Sequence, residues 1–178
     1  ISVITSALGD ALGQTSTDAS GNFSLVSLDE QFDPLDIFIN VDNFYNQEIN
    51  HTYSSRAYYS PQHGDRVLYD MGTIVLGKRT KLNLNLNNNT SDQNTVSYEL
   101  LFTPSDCELP LNVIDPPDNC NLSESSSGTL SPSSQNEIIP IYSIQGSNVI
   151  FKYSINAEPI QTIEIPLTNE DNTYVFQY

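Results

Sequence analysis

The chain has no tryptophan, one methionine, two cysteines, two histidines and only six lysines and arginines among its 178 residues. Each scarcity excludes something. Six basic residues against 22 acidic ones leave a formal charge of −16. Such a field repels phosphate backbones and anionic headgroups, so nucleic acid is not an expected partner. No stretch approaches the ~18 consecutive apolar residues of a membrane-spanning helix, and the best candidate, NVIFKYSI, is interrupted by Lys152. Membrane insertion by this segment is therefore not expected. Helix signals are nearly missing: Ala7, Leu8, Ala11 and Leu12 have the spacing of one helical turn, but Gly9 and Gly13 break it. The chain has no G-x-S-x-G elbow, no H-E-x-x-H, no Gly-rich phosphate loop and no S-x-x-K. The expectation is a protein that is not an enzyme, although scattered carboxylates that pair in space for glycoside cleavage leave no sequence trace.

What is present is period-two alternation. Leu82, Leu84 and Leu86 share one face of LNLNLN while Asn83, Asn85 and Asn87 share the other, the pattern of a strand with one buried and one wet face. Ile37, Ile39 and Val41 repeat it, as do Val149, Phe151, Tyr153 and Ile155, then Ile163, Ile165 and Leu167, then Tyr174, Phe176 and Tyr178. Asn, Asp, Gly, Pro and Ser clusters separate these runs at short intervals, which is how antiparallel sandwiches punctuate their turns. The apolar-free stretch NNNTSDQNT, residues 87–95, divides the chain. The fold class expected is all-β, as two small antiparallel β-sandwich domains over residues 1–90 and 91–178, the alternative being one elaborated sandwich. Downstream, NLSESSSGTLSPSSQNE over 121–137 reads as a mobile Ser-rich loop. Lys78, Arg79 and Lys81 read as a solvated hairpin tip.

Cys107 and Cys120 bracket the Pro-rich segment CELPLNVIDPPDNC with no other thiol in the chain, which predicts a disulfide. A bridge of that kind belongs to an oxidising compartment, extracellular or at the cell surface. Zinc needs four ligands, and neither His51 nor His63 lies near these cysteines in sequence. The sequence opens on the strand-like ISVIT without a charged n-region, so an export signal is expected upstream or already removed.

TSTDASGNFSL, residues 15–25, poses a choice between a metal loop and a turn. Asp18, Ser20 and Asn22 occupy positions 1, 3 and 5 of an EF-type calcium loop, and Asp29 falls at position 12. The glycine, however, is at position 4, and Phe23 stands where that loop needs glycine. Asp at the first and Gly at the fourth position of DASG suit a type I turn with Gly21 at positive φ. The turn reading is the expectation. At these residues GQTSTDASGNFSL resembles the G-x-T-x-T-D-x-x-G-x-F-x-L hairpin of carboxypeptidase regulatory-like domains. LDIFINVDNFY is similar to the strand that follows in such domains, and YDMGTIVLG to their closing D-x-G-x-I-x-L strand. The resemblance covers about the first 90 residues and implies a transthyretin-like β-sandwich without catalytic residues. Such modules accompany secreted peptidases, outer-membrane receptors and bacterial surface lipoproteins. The family's G-x-V-x-D and G-x-P-L elements are missing here, and residues 93–178 lie outside the resemblance.

The richest polar and aromatic stretch, Asp42 to Tyr69, holds both histidines and is long enough for a recognition loop on a rigid sandwich. Tyr53, Tyr58 and Tyr59 would offer flat faces there, with Arg56 and His51 offering hydrogen bonds; the competing reading is that the tyrosines cover the end of the sandwich. Metal and cofactor are not expected. Calcium is the ion that the pairs Asp33 and Asp36, Asp115 and Asp118, and Glu170 and Asp171 would suit, and each pair is equally a set of turn formers. The functional expectation is a non-catalytic extracellular binding or structural module of a bacterial surface lipoprotein or secreted protein. Its partner would be a glycan or a surface protein, with a lipid anchor upstream; the alternative is an accessory domain pair of a secreted hydrolase.

Overall fold

The computed structural model describes residues 1–5, 11–28, 35–40, 52–59, 70–89, 93–110, 120 and 124–178. Their strands are β1 (Ser2–Thr5), β2 (Ala11–Gln14), β3 (Leu35–Ile39), β4 (Ser55–Tyr59), β5 (Arg79–Asn87), β6 (Val96–Phe102), β7 (Asp106–Pro110), β8 (Glu124–Leu130), β9 (Glu137–Ile144), β10 (Asn148–Ile155), β11 (Gln161–Pro166) and β12 (Asp171–Gln177). No helix occurs among the described residues, and the fold is all-β. The chain divides into two compact units, Ile1–Leu76 with Asp106–Asn119, and Gly77–Ser105 with Cys120–Tyr178.

The second unit is a two-sheet sandwich, with strands ordered β11-β10-β6-β8 in one sheet and β12-β5-β9 in the other. Alternation builds it. Leu82, Leu84 and Leu86 are fully buried and meet Val96, Leu100, Val149, Phe151, Ile165 and Phe176 in one core. Burying each such side chain contributes about 1.5–3 kcal/mol. β5 pairs antiparallel with β9 and parallel with β12, Leu84 standing opposite Ile139 and Tyr174. β4 and β7 also run parallel, so these two sheets are mixed where antiparallel ones were expected, while the β11-β10-β6-β8 sheet is antiparallel throughout.

Two segments fold differently from their sequence reading. The Ser-rich stretch contains an edge strand, β8, because its backbone completes a ladder with β6 along Val96–Phe102. Its small side chains suit what lies beside them: Gly128 stands opposite Tyr98, and a Cβ there would come within 2.6 Å of the Tyr98 hydroxyl. Residues 87–95 connect β5 to β6, two strands of the second unit, so β5 pairs with strands beyond the polar stretch that was expected to separate it from them.

The turn joining β10 to β11 shows a local conflict. Glu158 N–H donates to the Ile155 carbonyl at 2.9 Å, and both central residues, Asn156 and Ala157, have positive φ, 53° and 61°. This is the I′ geometry that favours Asn-Gly. Asn156 tolerates it; Ala157 does not. Ala157→Gly is expected to stabilise the protein by about 0.5 kcal/mol, the left-handed cost of alanine less the added chain entropy of glycine, read as a higher urea midpoint.

In the first unit the described strands form one sheet, ordered β2-β1-β3-β4-β7. Ile37 and Ile39 are buried, and Leu12, Leu25, Tyr58, Met71, Ile74 and Leu76 pack against them. Residues 70–77, expected as a closing strand, carry none. Met71, Ile74 and Leu76 lie on the Ile37–Ile39 cluster without joining a ladder.

Candidate functional site

Asp18 is a turn former. Its Oδ1 accepts from the Ser20 and Asn22 backbone N–H groups at 2.8 and 2.9 Å, and its Oδ2 accepts from the Asn22 side chain at 3.2 Å. These bonds, the Asn22 backbone bond first, hold its carboxyl below the ordinary aspartate value. Gly21 N–H donates to the Asp18 carbonyl at 3.0 Å, and Gly21 has φ +82°. A Cβ at Gly21 would touch nothing within 4 Å. Gly21→Val is therefore expected to cost only its backbone strain, about 1–2 kcal/mol, measured as a lowered urea midpoint. Among the described residues no three His, Cys, Asp or Glu side chains are placed to hold a metal ion. Of the three acidic pairs, Asp33, Asp115 and Asp118 lie outside the described residues. Asp36 is buried on β3, Glu170 lies 3.9 Å from Lys78, and Asp171 opens β12.

Of the expected recognition loop, His51 and residues 42–50 and 60–69 lie outside the described residues. The remainder contains a strand. β4 runs between β3 and β7, with Ile37 opposite Tyr58 and Asp36 opposite Tyr59. Neighbouring residues of a strand point to opposite faces, so Tyr58 and Tyr59 do not share a surface. Tyr58 packs on the Ile37–Ile39 cluster, and Arg56 donates to the Ser55 carbonyl at 2.8 Å. Tyr59 hydrogen-bonds the Glu108 carboxylate. Tyr53 is 52% exposed, and its carbonyl accepts from the Asn40 side chain at 2.8 Å.

Burial raises the phenols of Tyr58, Tyr59, Tyr98 and Tyr178; for Tyr59 the Glu108 hydrogen bond and the charges of Glu108 and Asp36 add to it. A folded-state pKa above the unfolded value near 10 stabilises the fold fully below pH 10, and the contribution is lost as pH rises through the folded values. Alkaline titration should show part of the phenolate absorbance appearing only above that range, together with loss of near-ultraviolet circular dichroism. Full phenolate formation with the dichroism intact would contradict it.

The second unit carries a different constellation. On β5 the buried leucines alternate with Arg79, Lys81, Asn83 and Asn85, which face outward. Lys81 stands opposite Tyr142 of β9 and Asp171 of β12, and Asn83 opposite Pro140 and Thr173. The Arg79 guanidinium carbon is 4.9 Å, and the Lys81 Nζ 5.8 Å, from the centroid of the Tyr142 ring, which is 46% exposed. Farther along the same face Ile138 and Val175 flank Asn85 and are 64% and 51% exposed. The Asn85 Oδ1 is enclosed without a hydrogen-bond partner. The three basic residues expected at a hairpin tip thus stand largely on a strand: Lys78 precedes it, and Arg79 and Lys81 are part of it. Their odd numbers, shared with Asn83 and Asn85, place them on the wet face. Tyr142 gave no such signal, because EIIPIYSI is apolar at odd and even positions alike.

Cys107 and Cys120 are disulfide-bonded, which is compatible with an extracellular location. Comparison of the chain with family models, with curated proteins and with solved structures finds no match.

Proposed function

We propose that the chain is a non-catalytic extracellular binding module of a bacterial surface lipoprotein or secreted protein, recognising a glycan or a surface protein. The observation that carries this reading is the outer face of the β12-β5-β9 sheet, where Tyr142 is flanked by Arg79 and Lys81 beside a row of asparagines. Cross-strand pairing places these groups side by side on one face, an arrangement suited to holding a ligand. The disulfide supports the compartment, and the resemblance of residues 13–25 to carboxypeptidase regulatory-like hairpins supports the surface-protein setting. The test is a glycan array and a surface-protein screen with the intact chain, followed by assay of each bound polysaccharide for released reducing ends. Specific binding without product supports the module; turnover of a bound polysaccharide would make the chain a hydrolase and end this reading.

A further inference from the structure

Resting on that reading and committing it to a protein partner, we propose that the free edge of β12 takes up an extended, basic peptide segment as an added antiparallel strand. The backbone is the first argument. Lys81 N–H donates to the Glu170 carbonyl at 2.9 Å, and Tyr178 N–H to the Asn87 carbonyl at 3.1 Å. Alternate residues of a strand in a parallel ladder bond the same neighbour, so Asn172, Tyr174 and Phe176 direct their N–H and C=O groups to β5. Asp171, Thr173, Val175 and Gln177 turn theirs to the other side, where β12 has no neighbour among the described residues. Such a row is a template for another chain.

The other edges of this sandwich are less receptive. β9 contains Pro140, which lacks an N–H, and its Tyr142 carbonyl already accepts from Ser105 N–H at 3.3 Å. β11 ends on Pro166, and β8, ESSSGTL, offers an incoming strand almost no apolar side chain. β12 offers apolar side chains on both faces. Val175 is 51% exposed on the outer face, and Tyr174 on the inner face is only partly buried, as is Ile163 of β11. β11 and β12 are neighbours across the sandwich: residues 167–170 connect them, and Phe176 reaches Phe151 and Tyr153 of β10. An apolar residue placed opposite Val175 covers that side chain, and the residues beside it on the added strand point inward, towards Tyr174 and Ile163.

Charge selects the partner. Residues 156–178 contain Glu158, Glu164, Glu170 and Asp171 and no lysine, arginine or histidine. Lys78 lies 3.9 Å from Glu170, and Lys81 stands opposite Asp171. Glu158 and Glu164 have no such cation among the described residues; Glu164 accepts only from the Asn148 amide, at 3.2 Å. On a chain of net charge −16 the long-range field draws a basic segment to this edge and repels a second copy of the chain.

The probe is a capped peptide of alternating threonine and valine with a lysine at each end, titrated into the intact protein in about 50 mM NaCl. Its counterparts carry glutamate in place of lysine, or N-methyl groups on alternate backbone nitrogens. Expected is binding of the lysine peptide, with both counterparts at least tenfold weaker. Amide exchange read by nuclear magnetic resonance should slow at least tenfold at Thr173, Val175 and Gln177, and stay unchanged at Tyr174 and Phe176, which are already bonded to β5. Val175→Pro removes a free donor without breaking the ladder to β5, so it should weaken binding at least tenfold with the melting temperature preserved; Val175→Ala should weaken it less than threefold. A bound peptide that leaves those three amides unprotected overturns the site. Equal binding of the N-methylated peptide overturns strand addition, and equal binding of the glutamate peptide overturns the partner class. Failure of the lysine peptide to bind overturns the inference, while glycans or proteins bound in the screen above leave the module reading standing. Should Val175→Pro not fold, the exchange pattern of the unaltered chain decides by the same criterion.

Discussion

Phe151→Ala is expected to destabilise the second unit by about 3–5 kcal/mol, enough to consume much of the stability of a small domain. Phe151 is fully buried in β10. Its ring meets Phe176 edge-on at 5.0 Å, stacks on Tyr153 at 5.3 Å and lies 6.4 Å from Tyr98. It therefore joins aromatic side chains of both sheets, β10 and β6 on one side and β12 on the other. Removing it leaves a void between the sheets, and the stiff ladders on either side limit how far that void can collapse. Without tryptophan in the chain, the transition is followed in urea by tyrosine fluorescence. A loss below about 1 kcal/mol would mean that the two sheets do not close on a common core. Val175→Ala, on the exposed face of β12, provides the contrast, with an expected change within about 0.5 kcal/mol.

The core of the second unit was legible because alternation is a local signal. Leu82, Leu84 and Leu86 alternate with asparagine, and each is fully buried; Val149 and Phe151 behave alike. β8 was hidden for the same reason. ESSSGTL has no apolar face of its own, and its strand geometry is imposed by the ladder to β6 and by Tyr98 opposite Gly128. Which strands would pair was equally invisible. Lys81 stands beside Asp171 in a parallel ladder that joins distant parts of the sequence, and no property of either segment specifies the other. The site divides in the same way. The outward parity of Arg79 and Lys81 follows from the leucines between them, but Tyr142 reaches their cations only because β9 pairs with β5. The tyrosines of residues 53–59 were misleading in the opposite sense. Aromatic density in a polar stretch suggested a loop, while β4 sends Tyr58 and Tyr59 to opposite faces of a sheet.

Reduction of the Cys107–Cys120 bond is expected to lower stability by about 3 kcal/mol. The bridge closes 14 residues, from Cys107 to Cys120, and in the chain-entropy account a loop of that length removes roughly this much freedom from the unfolded chain. The magnitude is comparable to deleting a core aromatic, yet it arises in the other state: Phe151 stabilises the folded chain, and the bridge restrains the unfolded one. The two are separable by experiment. Urea midpoints with and without reductant give the effect of the bond alone, because both thiols stay in place. Cys107→Ser with Cys120→Ser should cost somewhat more, since Cys107 is buried at 6% exposure and the serine hydroxyl would need a partner there. Intact mass after denaturing alkylation fixes the starting state: no adduct without reductant, two with it. Two adducts without reductant would show that the thiols are free, and the argument for an oxidising compartment would go with the bond.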